Sequence, residues 1–100
     1  MEVKIVWTDE AFQSHHEIFL FLIEMWNIKI AKAFVKLVDE KTKWISQFPS
    51  TAQYHNKSTS IQKIIIHPNV TLFYRYIKNE GIIELLLFWD NRQDERKRSL

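Results

Sequence analysis

The segment Trp89-Asp90-Asn91-Arg92-Gln93-Asp94 holds the side chains best placed to do chemistry. It follows an apolar run without a break, so an aromatic step leads straight into polar and charged residues. A segment at the end of a rigid strand is held more closely than one on a long loop. Arg92 offers a planar, permanently charged fork suited to a carboxylate or a phosphate. Two more cations, Lys63 and Arg75, lie earlier in the last third of the chain. Strand alternation places both, with Glu84, on one face of a sheet. Each of these residues has a purely structural reading beside the functional one. Arg75 can pair with Glu84 across neighbouring strands, and Arg92 with Asp90 or Asp94 on the surface. Trp89 can be a core or lid residue. His15 and His16 are adjacent on a helical stretch and diverge, so they do not share a metal. No glycine-rich phosphate loop, HExxH pattern or nucleophile elbow occurs.

The elements that position these residues follow from periodicity. Residues 61–94 hold three apolar runs split by His67-Pro68-Asn69 and Lys78-Asn79-Glu80-Gly81. The runs have strand length, and Val, Ile, Tyr, Phe and Thr dominate the first two. Short links between them predict an antiparallel meander. The third run is apolar on both faces except at Glu84, which predicts that the C-terminal tail or another protein covers the second face. Strict alternation sets Ile82, Glu84, Leu86 and Phe88 against Ile83, Leu85, Leu87 and Trp89. Upstream, 3–7 reads as a strand and Thr8 as a helix cap, with Asp9 and Glu10 in the first turn. Helix 1 runs to about Trp26, with an inner stripe of Ala11, Phe12, His15, Ile18, Phe19, Leu22, Met25 and Trp26. Leu20 and Phe21 widen its apolar face beyond what one sheet needs. Asn27 caps a second helix over about 28–47, with a stripe of Ala31, Phe34, Val38, Ile45 and Phe48. The stretch 49–60 is polar and loop-like, and the tail from about 95 reads as flexible and solvated.

The predicted fold is α+β in the order β-α-α-β-β-β. An antiparallel helix hairpin packs on one face of a mostly antiparallel four-stranded sheet. The 100 residues bound this to one domain, 1–100. Apolar residues at 46% with a single Gly argue against global disorder. The absence of Cys removes disulfides and sulfur-based zinc sites and fits a cytoplasmic protein. No apolar run approaches the ~20 residues that span a bilayer. A formal charge of +2 is well short of a dedicated nucleic-acid binder.

Trp7-Thr8-Asp9-Glu10-Ala11 closing the first strand, the helix pair, the Phe73-Tyr74-Arg75 strand and the ending Phe88-Trp89-Asp90-Asn91-Arg92-Gln93-Asp94 resemble the RelE/ParE superfamily. Its members are toxins of bacterial type II toxin–antitoxin systems, also described as plasmid stabilisation proteins. The resemblance covers nearly the whole chain and rests on the order of elements, not on one motif. It implies a small cytoplasmic protein without cofactor or metal. The implied protein inhibits growth and is held inactive by a cognate antitoxin, as a homodimer or a toxin–antitoxin hetero-oligomer, with no membrane partner. Leu20, Phe21 and Leu87, the surplus apolar positions, are the expected partner-binding residues.

The family divides by target. RelE-like members are ribosome-dependent mRNA endoribonucleases. In that branch Lys63, Arg75 and Arg92 are the catalytic candidates, stabilising charge on the scissile phosphate. Trp89 stands where family members commonly carry a His, and Trp does not transfer protons near neutral pH. His67 and Tyr76 substitute by residue type only. ParE-like members act on DNA gyrase and often end in a segment similar to Arg92-Gln93-Asp94, so the resemblance leans to that branch. Arg92, Asp94 and Trp89 are then the target-binding candidates. A third reading is a non-toxic interaction module of the same fold.

Overall fold

The computed structural model describes residues 3–93, 95–98 and 100. β1 (Lys4–Trp7) leads into α1 (Asp9–Met25) and α2 (Ile28–Gln47), followed by β2 (Gln53–Asn56), β3 (Ile61–His67), β4 (Val70–Ile77) and β5 (Ile82–Asp90). The strands form one sheet in the order β1-β5-β4-β3-β2, parallel between β1 and β5 and antiparallel elsewhere. The class is the α+β expected, with five strands where the sequence predicts four. The added strand, β2, lies inside the polar stretch. It pairs with β3 only along 61–63 and is mostly exposed, so it needs no apolar alternation to form. The buried Gln62 amide donates to the Ala52 carbonyl (3.0 Å) just before it.

Both helix starts are capped as their sequences dictate. Thr8 Oγ1 accepts from the Ala11 N–H (3.1 Å) and donates to the Leu85 carbonyl (2.7 Å), tying α1 to β5. Asn27 Oδ1 accepts from the Ile30 N–H (3.0 Å). The helices cover one face of the sheet, where Ala11, Ile18, Phe34, Val38 and Ile45 meet Leu72, Tyr74, Ile83, Leu85 and Phe88. The inner stripe of α1 is narrower than its periodicity suggests. Phe12 (67% exposed), Met25 and Trp26 (68%) face solvent, and Ser14 is buried in their stead. The reason is a hydrogen bond: Ser14 Oγ accepts from the Phe88 N–H at 3.0 Å, beyond the end of β1 where that edge of β5 has no strand partner. Just past α2, Phe48 is likewise exposed and lies beside Trp44.

The alternation of β5 is broken by a bulge. Phe73 faces Leu87 and Tyr74 faces Leu85, which leaves Leu86 without a partner. An extra residue flips the facing of everything after it. Phe88 therefore joins the helix-side core, and Leu87 and Trp89 turn to the other face, against the strict two-residue period. There they form a second cluster with Ile61 and Phe73. Within the chain, this face is covered by the tail. Glu95–Lys97 form a 3-10 turn, Leu100 packs on the cluster, and the Arg98 guanidinium lies 4.8 Å from the Phe73 ring centroid and 5.7 Å from that of Trp89.

Candidate functional site

The sheet face turned from the helices carries two of the three expected cations. Lys63 lies opposite Phe73, and Arg75 lies opposite Glu84. Arg75 is not an idle cation: it sits 3.5 Å from the Glu84 carboxylate and donates Nε–H to the Thr59 carbonyl (3.0 Å). The sequence missed one titratable group here. The His55 ring, on β2, stands edge-on to Phe73 with centroids 4.8 Å apart. Its only signal is a polar strand of four residues, too short and too exposed to show periodicity. The two substitutes named by residue type lie elsewhere. Tyr76 packs against the helix-side core, and His67 is exposed at the β3–β4 turn, its Nδ1 accepting from the Asn69 N–H (3.3 Å). Tyr74 is no acid either, because burial pushes its phenol up to about 12.

Arg92 stands apart from these cations. Asp90 pairs with Val70 and Arg75 with Glu84, so the end of β5 and Arg75 are five positions apart along β4, about 17 Å at strand rise. The Arg92 guanidinium grips Asp90 at two points, Nε to Oδ1 (2.9 Å) and Nη2 to Oδ2 (2.7 Å), while its backbone N–H also donates to Oδ1 (2.9 Å). These hydrogen bonds hold the Asp90 carboxyl below the usual carboxylate range and raise the Arg92 guanidinium further. The guanidinium also lies 5.2 Å from the Phe21 ring centroid on α1. The surrounding turn is fixed by Asn91, whose N–H donates to the Asn69 carbonyl (2.7 Å) and whose side chain accepts from the Thr71 hydroxyl (3.1 Å). Arg92 keeps half of its side chain exposed (51%), so a positioned cation remains open to solvent. Trp89, by contrast, is buried under Arg98, which leaves its ring no free face for a target. Asp94 lies outside the described residues.

The third feature is apolar. Leu20, Phe21, Ile23, Met25, Trp26, Ile28 and Ile30 are all exposed around the tip of the helix hairpin. A groove of about 350 Å³ runs beside them, between Leu22, Trp26, Ile30 and Leu37 on the helices and His67 and Val70 on the sheet, with Arg92 at its rim. Phe21 and Leu87 line a second cleft of about 290 Å³ along the open edge of β5. The Leu87 side chain itself is buried in the second cluster (7% exposed), so Leu20 and Phe21 are the open members of the expected trio.

The two adjacent histidines point to different surroundings. His16 is exposed, and His15 is packed among Trp7, Phe34 and Phe88 with ring centroids 5.1–5.3 Å apart in this aromatic group. Desolvation lowers the His15 pKa, opposed by the Asp39 carboxylate and aided by His16.

Comparison of folds gives the architecture a context. A chain of the chromosomal ParDE TA system from P. aeruginosa superposes with a TM-score of 0.74, covering 89% of this chain and 96% of its own length at 14% identity. The chain thus has the fold expected from its resemblance to RelE/ParE toxins. No protein-family model matches the sequence, and no curated protein matches it. Among the described residues, no helix is long and apolar enough to cross a membrane.

Proposed function

We propose that this chain is the toxin of a bacterial type II toxin–antitoxin module, kept inactive in the cytoplasm by a small antitoxin. The observation that carries the reading is the shared fold with a ParDE system chain over nearly both lengths, combined with the apolar hairpin tip and its groove. A cluster of exposed large apolar residues on a small domain marks a protein partner site. An amphipathic antitoxin helix seated in the groove would cover Leu22, Trp26 and Ile30, with Leu20 and Phe21 as flanking contacts and Arg92 pairing an acidic side chain at the rim. Expression in bacteria without a partner is expected to arrest growth, and co-expression of a small acidic antitoxin, if one is encoded beside it, to restore it. Normal growth with abundant folded protein would overturn the reading.

Action on DNA gyrase is the favoured branch. Arg92 is a fixed, half-exposed cation at the end of β5, remote from Lys63 and Arg75, which supports a target-binding role more than membership of a three-cation phosphate site. The ribonuclease branch draws support from His55, a group able to transfer protons on the face that carries Lys63 and Arg75. Gyrase relaxation assays and toeprinting on ribosomes separate the two. Inhibited relaxation without mRNA cleavage supports the first, and cleavage abolished by His55→Ala supports the second. An effect on growth that survives Lys63, Arg75 and Arg92 substitutions would mean that these cations are not the working parts, and no effect on growth from the native chain would favour the non-toxic interaction module.

A further inference from the structure

β2 pairs with β3 only along 61–63, and among the described residues no other strand lies outside β3 in the sheet. From Ile64 to His67 the outer edge of β3 therefore has no ladder partner among the described residues. Alternate N–H and C=O groups on such an edge are a template for another strand. The edge opens into a cleft of about 550 Å³ whose two sides repeat the same chemistry. On the helix side α2 contributes Trp44 and Lys41, and on the opposite side β3 itself contributes Ile65 and Lys63. Ile65 is 63% exposed although it sits in mid-strand, and Trp44 is 40% exposed. Among the described residues no carboxylate forms a salt bridge with Lys41 or Lys63.

We propose that the outer edge of β3 is a strand-addition site for an extended segment of a partner protein, built from branched apolar residues flanked by acidic ones. A strand laid on this edge sends alternate side chains to the two sides of the sheet. On each side it meets one apolar surface and one ammonium group, so an apolar residue and a carboxylate satisfy both. The backbone supplies affinity and the side chains supply selection, as in other strand-addition complexes. A second copy of this chain fits poorly, because pairing two β3 edges brings the lysines of both copies together. A nucleic acid fits poorly too, since its backbone cannot continue a peptide ladder. The site lies at the opposite edge of the sheet from Phe21 and Leu87 and does not depend on the toxin reading.

The test uses the full chain and two capped synthetic pentapeptides, Glu-Ile-Val-Ile-Glu and Lys-Ile-Val-Ile-Lys, at millimolar concentration. Amide shifts and hydrogen exchange are followed by NMR. The acidic peptide is expected to shift residues 63–67 and 41–44 and to slow exchange of the β3 edge amides about tenfold, while the basic peptide leaves them unchanged. In the double variant Lys41→Glu, Lys63→Glu the preference is expected to reverse, an outcome that loss of folding cannot produce. No response to the acidic peptide, equal response to both, or shifts confined to other surfaces would overturn the proposal. So would sedimentation showing that the free chain already pairs this edge in a dimer, or a single-stranded oligonucleotide that perturbs the same amides and displaces the acidic peptide.

Discussion

Arg92 and His15 show how differently two titratable residues are held. The Arg92 fork on Asp90 is a surface pair of good geometry, and such pairs contribute about 0–1 kcal/mol. Arg92→Ala should therefore lower Tm by a few degrees at most, while abolishing growth arrest if the exposed guanidinium meets the target. Thermal unfolding beside a growth assay measures both. Because Arg92 depresses the Asp90 pKa, the pair's contribution is present above the unfolded value of about 3.9 and is lost as pH falls through the folded one. Arg92→Ala should lose that part of the acid sensitivity. His15 works in a different range. Its folded pKa is lowered, so below about 6.5 the unfolded chain takes a proton that the folded one refuses, and stability should fall as pH drops from there. Urea unfolding between neutral and mildly acidic pH should show the slope, and His15→Phe should flatten it. The pairs Arg75–Glu84 and Arg92–Asp90 were legible in the sequence because register or nearness in the chain fixes both. His55 was not, because nothing in a polar tetrapeptide says that it will face Phe73.

At the level of elements, the caps were legible and the joints were not. Thr8 and Asn27 announce their helices through side chains that bond the next turn, a purely local event. Ser14 acts at a distance of 74 residues, and helical periodicity counts it as merely polar. Ser14→Ala should cost about 1–3 kcal/mol by leaving the buried Phe88 N–H without a partner. Denaturant unfolding checks this, with Ser50→Ala, at an exposed position, as a reference expected to change little. The bulge at Leu86 and the strand β2 were equally hidden. Alternation predicts facing only while register is unbroken, and β2 is specified by its neighbour β3 and by the Gln62 amide, not by its own residues.

For the molecule as a whole, the layout of helix hairpin on sheet was legible because amphipathic helices and apolar strands have few ways to bury their faces together. The surplus at Leu20 and Phe21 was legible for the same reason, and both are exposed. If the chain is the toxin proposed, Leu20→Glu, which leaves the Phe21–Arg92 contact in place, should keep the fold and the growth arrest while weakening rescue and co-purification by the antitoxin. Loss of arrest together with loss of rescue would instead place the target on this surface. The strand order has a consequence in time. β1 is made long before β5, its one sheet neighbour among the described residues, and Thr8 bonds Leu85 across 77 residues. At synthesis rates of about 5–20 residues per second, β1 waits roughly 4–16 s for its partner to be made. Until then the sheet lacks both β5, the strand that joins β1 to β4, and the anchor for α1. A chain interrupted on the ribosome before residue 85 can therefore carry Lys63 and Arg75 without the folded sheet that positions them. Protease protection of stalled nascent chains should appear only once β5 has cleared the exit tunnel.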